Sequence, residues 1–425
     1  MEYINRLESE VRGYVRSFPT VFTTAKGELL DDAEGRQYID FFSGAGALNY
    51  GHNDEVMKAA LLEYIHSDAI THSLDMASQA KEDFIATFEE VVMKPRNMEY
   101  KLQFPGPTGT NAVEAALKLA RKVKGRDRVL FFTNAYHGMT LGALAVTGNS
   151  SKRGGAGVPL NNSSPLPFCE YFGAGRDTAD DLRMLLENSS SGFDKPAAII
   201  LETVQGEGGI NVASNEWLQK IEALCHEHDM LLIVDDIQAG IGRTGPLFSF
   251  EPSGIKPDII TISKSLSGFG LPLALTMIRP DLDIWKPGEH NGTFRGNCHA
   301  FITSSAALNH YWRDDALEKS VLAKGERVQE RLRAIVKARP GLDAEVRGRG
   351  LFIGMDCKTE GLADAIGEHC FQLGLIAETA GPDDNVLKVM PPLIISDDNL
   401  ARGLDLLEQA VDAALQDHGL LQGVA

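Results

Sequence analysis

A lysine stands at the end of an apolar run in the segment PDIITISKSLSGFG, residues 257–270. Residues 258–263 have the composition of a buried strand, and Lys264 follows them directly. Burial lowers the pKa of a lysine, and a neutral amine can form a Schiff base with an aldehyde. A lysine that reaches solvent from the end of a strand would give the same pattern. Lys264 is therefore a candidate nucleophile, and the choice depends on what lies near it.

Two adjacent carboxylates end a second apolar run, LLIVDD at residues 231–236. A buried carboxylate needs a cation or several hydrogen-bond donors. Asp235 is nearer the interior of this predicted strand, where its side chain could hold a proton on a ring nitrogen. For Asp236, capping of the loop that follows the strand is an equal alternative.

The start of a predicted helix at residues 110–125 indicates an anion site. Gly109 and Thr110 lie where backbone N–H groups and the helix dipole can hold a phosphate. The segment is not a Walker loop, because it lacks GxxxxGK[ST], and an ordinary capped helix start would look the same. An aromatic ring could cover a ligand there, since Tyr136 and His137 follow the next apolar run.

Four short apolar runs must position these side chains. Their residues are apolar at consecutive positions, which is typical of parallel strands covered on both faces. Helical patterns lie between the runs, and this alternation predicts an α/β sheet that binds ligands at the carboxyl ends of its strands. The runs are residues 128–133, 197–203, 231–236 and 258–263, and the helical patterns are 110–125 and 215–229.

The two ends of the chain differ from the middle. The N-terminal part reads as short strands with turns, and the tail begins with a long helical pattern followed by the strand-like segment GLFIGMDC. We therefore predict a small α+β domain from residues 1–60 and 315–425, around a large domain at residues 61–314.

Local signals within this plan are more specific. Ser396 is the predicted N-cap of a last helix with one apolar stripe, formed by Leu400, Leu404, Leu407 and Val411. Residues 148–167 and 189–192 are rich in turn-forming residues and are predicted to be loops.

Composition restricts the classes of function. The 41 Lys and Arg residues against 59 Asp and Glu residues give a net charge of −18, which disfavours nucleic acid as a partner. The sequence has neither an apolar run long enough for a membrane span nor a signal-peptide pattern. Its five cysteines form no CxxC pair, so neither a metal site nor a disulfide framework is expected, and a reducing cytoplasm fits best.

Together, the candidate residues would bind an aldehyde, a ring nitrogen, a phosphate and a ring face. Pyridoxal 5'-phosphate (PLP) has all four. The chain resembles the class III (omega) PLP-dependent aminotransferases of PLP fold type I, over nearly its whole length. The segments that carry this resemblance are DDAEGRQYIDFFSGAGALNYGH, ETVQGEGGI, IVDDIQAGIGRTG, PDIITISKSLSGFGLP and NGTFRGN.

The resemblance implies catalytic roles for three residues. Lys264 would be the Schiff-base lysine and then the proton carrier. Asp235 would keep the ring nitrogen protonated. Glu207 would pair with a cation of the C-terminal domain in one half-reaction and release it in the other.

The resemblance also implies the remaining contacts with PLP. Gly109 and Thr110 would bind the phosphate, and Tyr136, with His137 beside it, would stack on the ring. Gln238 would bond the phenolic oxygen of the ring. Thr293 would reach the phosphate of a partner subunit, so a homodimer at least is expected, with a higher homo-oligomer possible.

Three positions depart from relatives that act on other substrates. Lys388 replaces the arginine with which Glu207 would pair, and lysine cannot make a bidentate fork. Met139 replaces an arginine of GABA and ornithine aminotransferases, and Ala45 replaces a tyrosine that contacts ornithine. The usual clamps for both substrates are therefore missing from the sequence.

The whole set of motifs, with Lys388, resembles the family members that make L-2,4-diaminobutyrate. It implies transfer of an amino group from L-glutamate to L-aspartate 4-semialdehyde, the first committed step of ectoine synthesis. The open alternatives are a siderophore-pathway diaminobutyrate, putrescine or GABA aminotransferase, an aminomutase and a non-catalytic scaffold. A nicotinamide-binding protein is disfavoured, because no strand–GxGxxG–helix unit occurs.

Arg295 is a candidate for binding a substrate carboxylate, with a solvated loop arginine as the alternative.

Overall fold

The computed structural model describes residues 1–173 and 175–420. Its strands fall into four sheets within that part of the chain. In chain order they are β1 (Phe22–Lys26), β2 (Leu29–Asp32), β3 (Gln37–Asp40), β4 (Lys101–Gln103), β5 (Val129–Phe132), β6 (Ser163–Leu166), β7 (Ala198–Leu201), β8 (Val204–Gln205), β9 (Asn211–Val212), β10 (Leu231–Asp235), β11 (Ile259–Ile262), β12 (Leu275–Ile278), β13 (Ala344–Arg349), β14 (Phe352–Cys357), β15 (Leu375–Ile376), β16 (Glu378–Ala380) and β17 (Val386–Val389).

Helices cover the sheets and connect their strands. They are Glu2–Leu7, Tyr14–Ser17, Glu55–His66, Gln79–Phe88, Gly109–Lys124, Leu141–Ala145, Ser150–Gly154, Thr178–Glu187, Asn215–Glu227, Cys298–Tyr311, Ala316–Ala338, Leu362–Leu373 and Asp397–Asp417. None of the helices in the described residues is long and apolar enough to cross a membrane.

The central sheet has seven strands in the order β4-β12-β11-β10-β7-β5-β6. Neighbours from β11 to β6 pair in parallel, whereas β12 is antiparallel to both β11 and β4. The four apolar runs of the sequence form β5, β7, β10 and β11, and every residue of these strands is buried. The predicted mixed, mostly parallel α/β sheet is confirmed.

One predicted loop contains regular structure, so that prediction is wrong in part. Residues 148–167 include the helix Ser150–Gly154, which the Asn149 side chain caps by accepting the N–H of Lys152. They also include β6, which pairs with β5 at the edge of the sheet. Pro165 hid this strand from the sequence pattern, because proline is tolerated in a strand only at an edge or a bulge.

A second sheet joins the two ends of the chain. Its order is β1-β2-β3-β15, and Leu375 of β15 lies opposite Ile39 of β3. The remaining C-terminal strands form a sheet of their own, β13-β14-β17-β16. On this pairing we propose the division into residues 1–60 and 315–425 against 61–314.

The last helix begins where the sequence predicts. The Ser396 side chain accepts the backbone N–H of Asn399, and the helix Asp397–Asp417 follows. The four residues of its predicted apolar stripe are all buried.

Candidate active site

The candidate residues converge at the carboxyl edge of the central sheet. Asp235 is the last residue of β10, and Lys264 comes two residues after β11 ends. Tyr136 and His137 follow β5. A cavity of about 260 Å³ opens here and is lined by Thr108, Gly109, Thr110, Tyr136, His137, Gly138, Met139, Glu202, Asp235, Ile237, Gln238, Ala239 and Lys264.

Lys264 has a strained backbone and an unusual hydrogen bond. Its φ angle is 48°, in the left-handed region that non-glycine residues rarely adopt. Its Nζ donates to the carbonyl oxygen of Ala45 at 2.7 Å. Burial lowers the pKa of Lys264 to about 8, against the raising effect of the Glu207 carboxylate. Roughly a tenth of the amine is therefore neutral near pH 7, far more than at the ordinary pKa of a lysine.

The acceptor of that bond belongs to a tight left-handed turn. Residues 43–46 all have positive φ angles, between 51° and 86°. The turn directs the Ala45 carbonyl oxygen into the site, where the Gln238 side chain also donates to it at 3.0 Å. Sparsely populated backbone conformations persist only where the surroundings enforce them, and they cluster at functional sites.

Asp235 is held by three donors and is only 4% exposed. Its Oδ2 lies 2.7 Å from Nδ1 of His137, and its Oδ1 accepts from the Thr261 hydroxyl at 3.1 Å and the Ile237 backbone N–H at 3.2 Å. Burial opposes the protonation of His137, but the hydrogen bond and charge of Asp235 raise its pKa overall. The carboxylate is thus fixed in one orientation beside the cavity.

The helix Gly109–Lys124 begins at the same cavity. Thr108 is its N-cap and forms a capping box with Asn111, so the ordinary reading of this sequence as a capped start is also correct. Gly109 and Thr110 are the first two helical residues, and N–H groups in a first helical turn have no partner inside the helix. The Thr110 hydroxyl lies 2.7 Å from the hydroxyl of Thr140.

A charged cluster, here called the lysine triad, consists of Glu207, Lys388 and Glu378. The Lys388 side chain is fully buried, with its Nζ 2.8 Å from Oε1 of Glu207 and 2.5 Å from Oε1 of Glu378. Burial opposes the ionisation of Glu207, but the charges of Lys388 and Lys264 lower its pKa to about 2. Gln238 donates to Glu207 at 3.2 Å, which links the triad to the Ala45 turn.

Some residues selected from the sequence lie elsewhere. Thr293 is exposed in the loop before the helix Cys298–Tyr311. Arg295 contacts Asn291 at 3.2 Å and Asp75 at 3.7 Å. Asp236 is fully buried and accepts from the backbone N–H and hydroxyl of Ser249, an arrangement that fixes the chain after β10.

Three neighbours of the site were not predicted from the sequence: Glu202, Tyr14 and Glu378. Glu202 is 6% exposed, lines the cavity, and accepts the Tyr136 backbone N–H at 3.0 Å. Burial raises its pKa to about 7. Burial and the carboxylates of Glu378 and Glu207 raise the pKa of Tyr14, which comes from the N-terminal helix Tyr14–Ser17. A charged residue directly after an apolar run was an available signal for Glu202 and Glu378 alike.

The sequence matches known proteins along almost its whole length. A model of the family described as aminotransferase class-III matches residues 12–411. The diaminobutyrate–2-oxoglutarate transaminase of Halalkalibacterium halodurans is 55% identical over 99% of this chain and 98% of its own length. The protein of that name from Nocardia farcinica is 56% identical over 98% of this chain and 95% of its own length.

Solved structures have the same fold. The ornithine aminotransferase of Toxoplasma gondii, which holds PLP at partial occupancy in its active site, superposes with a TM-score of 0.85 at 26% identity, over 98% of this chain and 94% of its own. A transaminase from the marine bacterium Virgibacillus gives a TM-score of 0.87 at 20% identity, over 98% and 99% of the two chains. The second likeness concerns the fold alone.

Proposed function

The chain belongs to the class-III aminotransferases, and on that premise we propose that it moves an amino group from L-glutamate to the aldehyde of L-aspartate 4-semialdehyde. The products are L-2,4-diaminobutyrate and 2-oxoglutarate. The observation that carries this proposal is the placement of Lys264, whose pKa is lowered to about 8, in one cavity with the buried carboxylate of Asp235. The names of relatives at about 55% identity support the choice of substrates.

PLP is the cofactor of this family, and the residues around the cavity fit it. An aldehyde-reactive amine, a fixed carboxylate, a helix start and an aromatic side chain all line the same space. The segments around the cavity lie so close together that two positions have room only for glycine. A Cβ on Gly109 would come within 2.9 Å of Ile237, and one on Gly138 would come within 2.4 Å of the Thr110 hydroxyl. When bound, PLP supplies an aldehyde that carries the amino group and a ring that stabilises negative charge on the substrate carbon.

Different residues would then hold different parts of the cofactor. Lys264 would hold the cofactor covalently, and Asp235, kept in place by His137, would hold a proton on the ring nitrogen. The N–H groups of Gly109 and Thr110 would bind the phosphate.

The other contacts complete the binding of the cofactor. Tyr136 would cover one face of the ring, and the Gln238 amide would donate to its phenolic oxygen. Thr293 would reach the phosphate bound by a partner subunit, so the proposal includes a homodimer.

Lys264 also carries the proton in both half-reactions. With a substrate in its place, the free amine of Lys264 would take the proton from the amino-bearing carbon of the substrate and would deliver it to the carbon on the other side of the amino nitrogen. The lowered pKa suits this work, because a proton carrier is most efficient when its pKa lies near the working pH. For the second substrate, Lys264 would make the same two proton movements in the reverse order.

Three side chains support the choice of substrate. Met139, which is half-exposed at the cavity, leaves no arginine at the position that GABA and ornithine aminotransferases use. Ala45 offers only its backbone carbonyl. Lys388 supplies a single buried positive charge for the carboxylate of glutamate when Glu207 releases it.

We further propose that the enzyme works in the cytoplasm and opens ectoine synthesis. All five cysteines are unpaired thiols, and four of them are buried, which fits a reducing compartment. The net charge of −18 is compatible with a salt-tolerant host.

A screen of amino acceptors tests the proposal. With PLP-loaded enzyme and L-glutamate as the donor, we expect aspartate 4-semialdehyde to be the best acceptor in a panel that includes succinate semialdehyde and 4-aminobutanal. Release of one 2-oxoglutarate per active site in a single turnover would exclude an aminomutase and a non-catalytic scaffold. A preference for either of the other aldehydes would replace this proposal with a GABA or putrescine aminotransferase.

A further inference from the structure

We propose that Glu378 is the permanent counter-ion of Lys388, and that Glu207 is the exchangeable one. The assignment rests on the proposed function and adds a residue that determines how one site accepts both glutamate and diaminobutyrate. It follows from the position of the two carboxylates on elements of different kinds.

Glu378 reaches Lys388 from the neighbouring strand. The two residues lie directly opposite each other in the antiparallel pair β16–β17. Directly opposed side chains in such a pair are close because the backbone ladder sets their distance. Nζ and Oε1 are 2.5 Å apart, and the ladder holds the two backbones directly opposite each other.

Glu207 reaches Lys388 from a loop. It lies in the short connection between β8 and β9 and is followed by Gly208 and Gly209. Gly209 has a φ of 106°, a conformation that the connection owes to glycine. The Glu207 side chain is about one quarter exposed, at 27%, whereas that of Glu378 is 8% exposed. Glu207 is therefore the partner with room to swing away.

A fixed partner is necessary because Lys388 is fully buried. A buried cation that loses its only carboxylate is left uncompensated, which is strongly unfavourable. If Glu207 were the sole partner, its departure would strand the charge before a substrate carboxylate arrived. Glu378 removes this energetic cost, since Lys388 stays paired with it while Glu207 moves away.

The electrostatics favour a transfer of the ion pair from one carboxylate to the other. Burial raises the pKa of Glu378, and the neighbouring charge of Glu207 raises it further, while Lys388 lowers it. When Glu207 moves away, one of the raising causes disappears. Glu378 then becomes a stronger counter-ion at the moment Lys388 needs one.

Separate measurement of the two half-reactions tests the assignment. The PLP form of the enzyme is mixed with L-glutamate or with L-2,4-diaminobutyrate, and the loss of PLP absorbance gives kcat/KM for each. In Glu378→Gln we expect at least about a tenfold fall for glutamate, through KM, and a change within about twofold for diaminobutyrate. The reason is that Glu207 would become the sole partner of Lys388 and would not be released.

The matched controls separate this role from a structural one. Glu345→Gln removes an exposed carboxylate from β13 and should change neither half-reaction. Glu207→Gln removes the exchangeable partner instead, so it should lower the diaminobutyrate half-reaction more than the glutamate one, the reverse of the pattern expected for Glu378→Gln. Equal losses in both half-reactions of Glu378→Gln, or a loss for diaminobutyrate alone, would overturn the assignment.

A second comparison holds even if Glu378→Gln does not fold. In a Lys388→Met background no cation needs a counter-ion, so adding Glu378→Gln should leave the ratio of the two half-reactions unchanged. A changed ratio in that pair would also overturn the assignment. Failure of the wild-type enzyme to react with either substrate would instead overturn the proposed function on which the assignment rests.

Discussion

The two ends of the active site bury their charges in different ways. At the cofactor end, one carboxylate, that of Asp235, is held by several fixed partners, and one of these is the buried side chain of His137. At the substrate end, Lys388 has two carboxylates, and only one of them is set by a sheet. The arrangement around Asp235 has a single stable state, whereas Lys388 can lose one carboxylate and still keep the other. A site that must treat every substrate alike needs the first, and a site that must accept two different substrates needs the second.

The origin of the residues follows the same division. The cofactor end is built from residues that follow or end the strands β5, β10 and β11 of one buried sheet. The substrate end takes Glu207 from a loop, Lys388 and Glu378 from the C-terminal sheet β13-β14-β17-β16, and Tyr14 from an N-terminal helix. Separate elements can shift relative to one another more easily than strands of one sheet.

Loss of the amine at the cofactor end should have the largest effect. We expect Lys264→Ala to lower turnover by at least about 10⁴-fold, because both covalent attachment and proton transfer depend on this side chain. The melting temperature of the variant should stay near that of the wild type, since the substitution removes only one hydrogen bond, from Nζ to the Ala45 carbonyl oxygen. Product formation measured by chromatography at normal rates would contradict the role of Lys264.

Loss of the Asp235 carboxylate should have the next largest effect. We expect Asp235→Ala to lower kcat by about 10²–10³-fold, the scale on which a preorganised electrostatic partner contributes. Asp235→Asn is the matched control for shape, and it should lose nearly as much because it lacks the charge. An unchanged steady-state rate in either variant would remove Asp235 from the mechanism.

Loss of the cation at the substrate end should show first in stability. Lys388→Met leaves the buried Glu378 carboxylate without its cation and next to the charge of Glu207, so we expect about 3–5 kcal/mol less free energy of unfolding. Denaturant titration of the PLP-loaded enzyme measures this. Lys388→Arg keeps the charge and should lose less. A Lys388→Met variant as stable as the wild type would mean that the triad is not a buried charge cluster in solution.

The pH dependence of cofactor capture should be the smallest effect. Only the neutral amine of Lys264 attacks an aldehyde, and its share grows as pH rises through about 8. We expect the apoprotein to take up PLP about tenfold faster at about pH 9 than at about pH 7, as followed by absorbance. A rate that is flat or falls over this interval would show that the lysine is already neutral or is not the group that reacts.

Much of the cofactor end could be predicted from the sequence, for a local reason. Asp235 directly ends an apolar run, and Lys264 directly follows one, so a strand assignment alone places them at one edge of the sheet. The helix start at Gly109 could be predicted in the same way from its own residues.

The substrate end depends on contacts that no local pattern reveals. Glu378 stands in the apolar segment LIAETA, but its pairing with Lys388 requires the register of β16 on β17. The turn that aims the Ala45 carbonyl needs a run of left-handed residues that includes non-glycines. The proposed task of Thr293 concerns a partner subunit, so a single chain cannot reveal it.

The most direct test of the division is the ratio of the two half-reactions in one variant from each end. The account predicts that Asp235→Asn slows the glutamate and diaminobutyrate half-reactions by the same factor, so that their ratio of kcat/KM stays within about twofold of the wild type. It predicts that Lys388→Met lowers the glutamate half-reaction selectively and shifts the ratio by roughly 30-fold, the equivalent of about 2 kcal/mol for a lost ion-pair partner. Equal ratios in the two variants would contradict the account, because chemistry and substrate choice would then not be divided between the two ends.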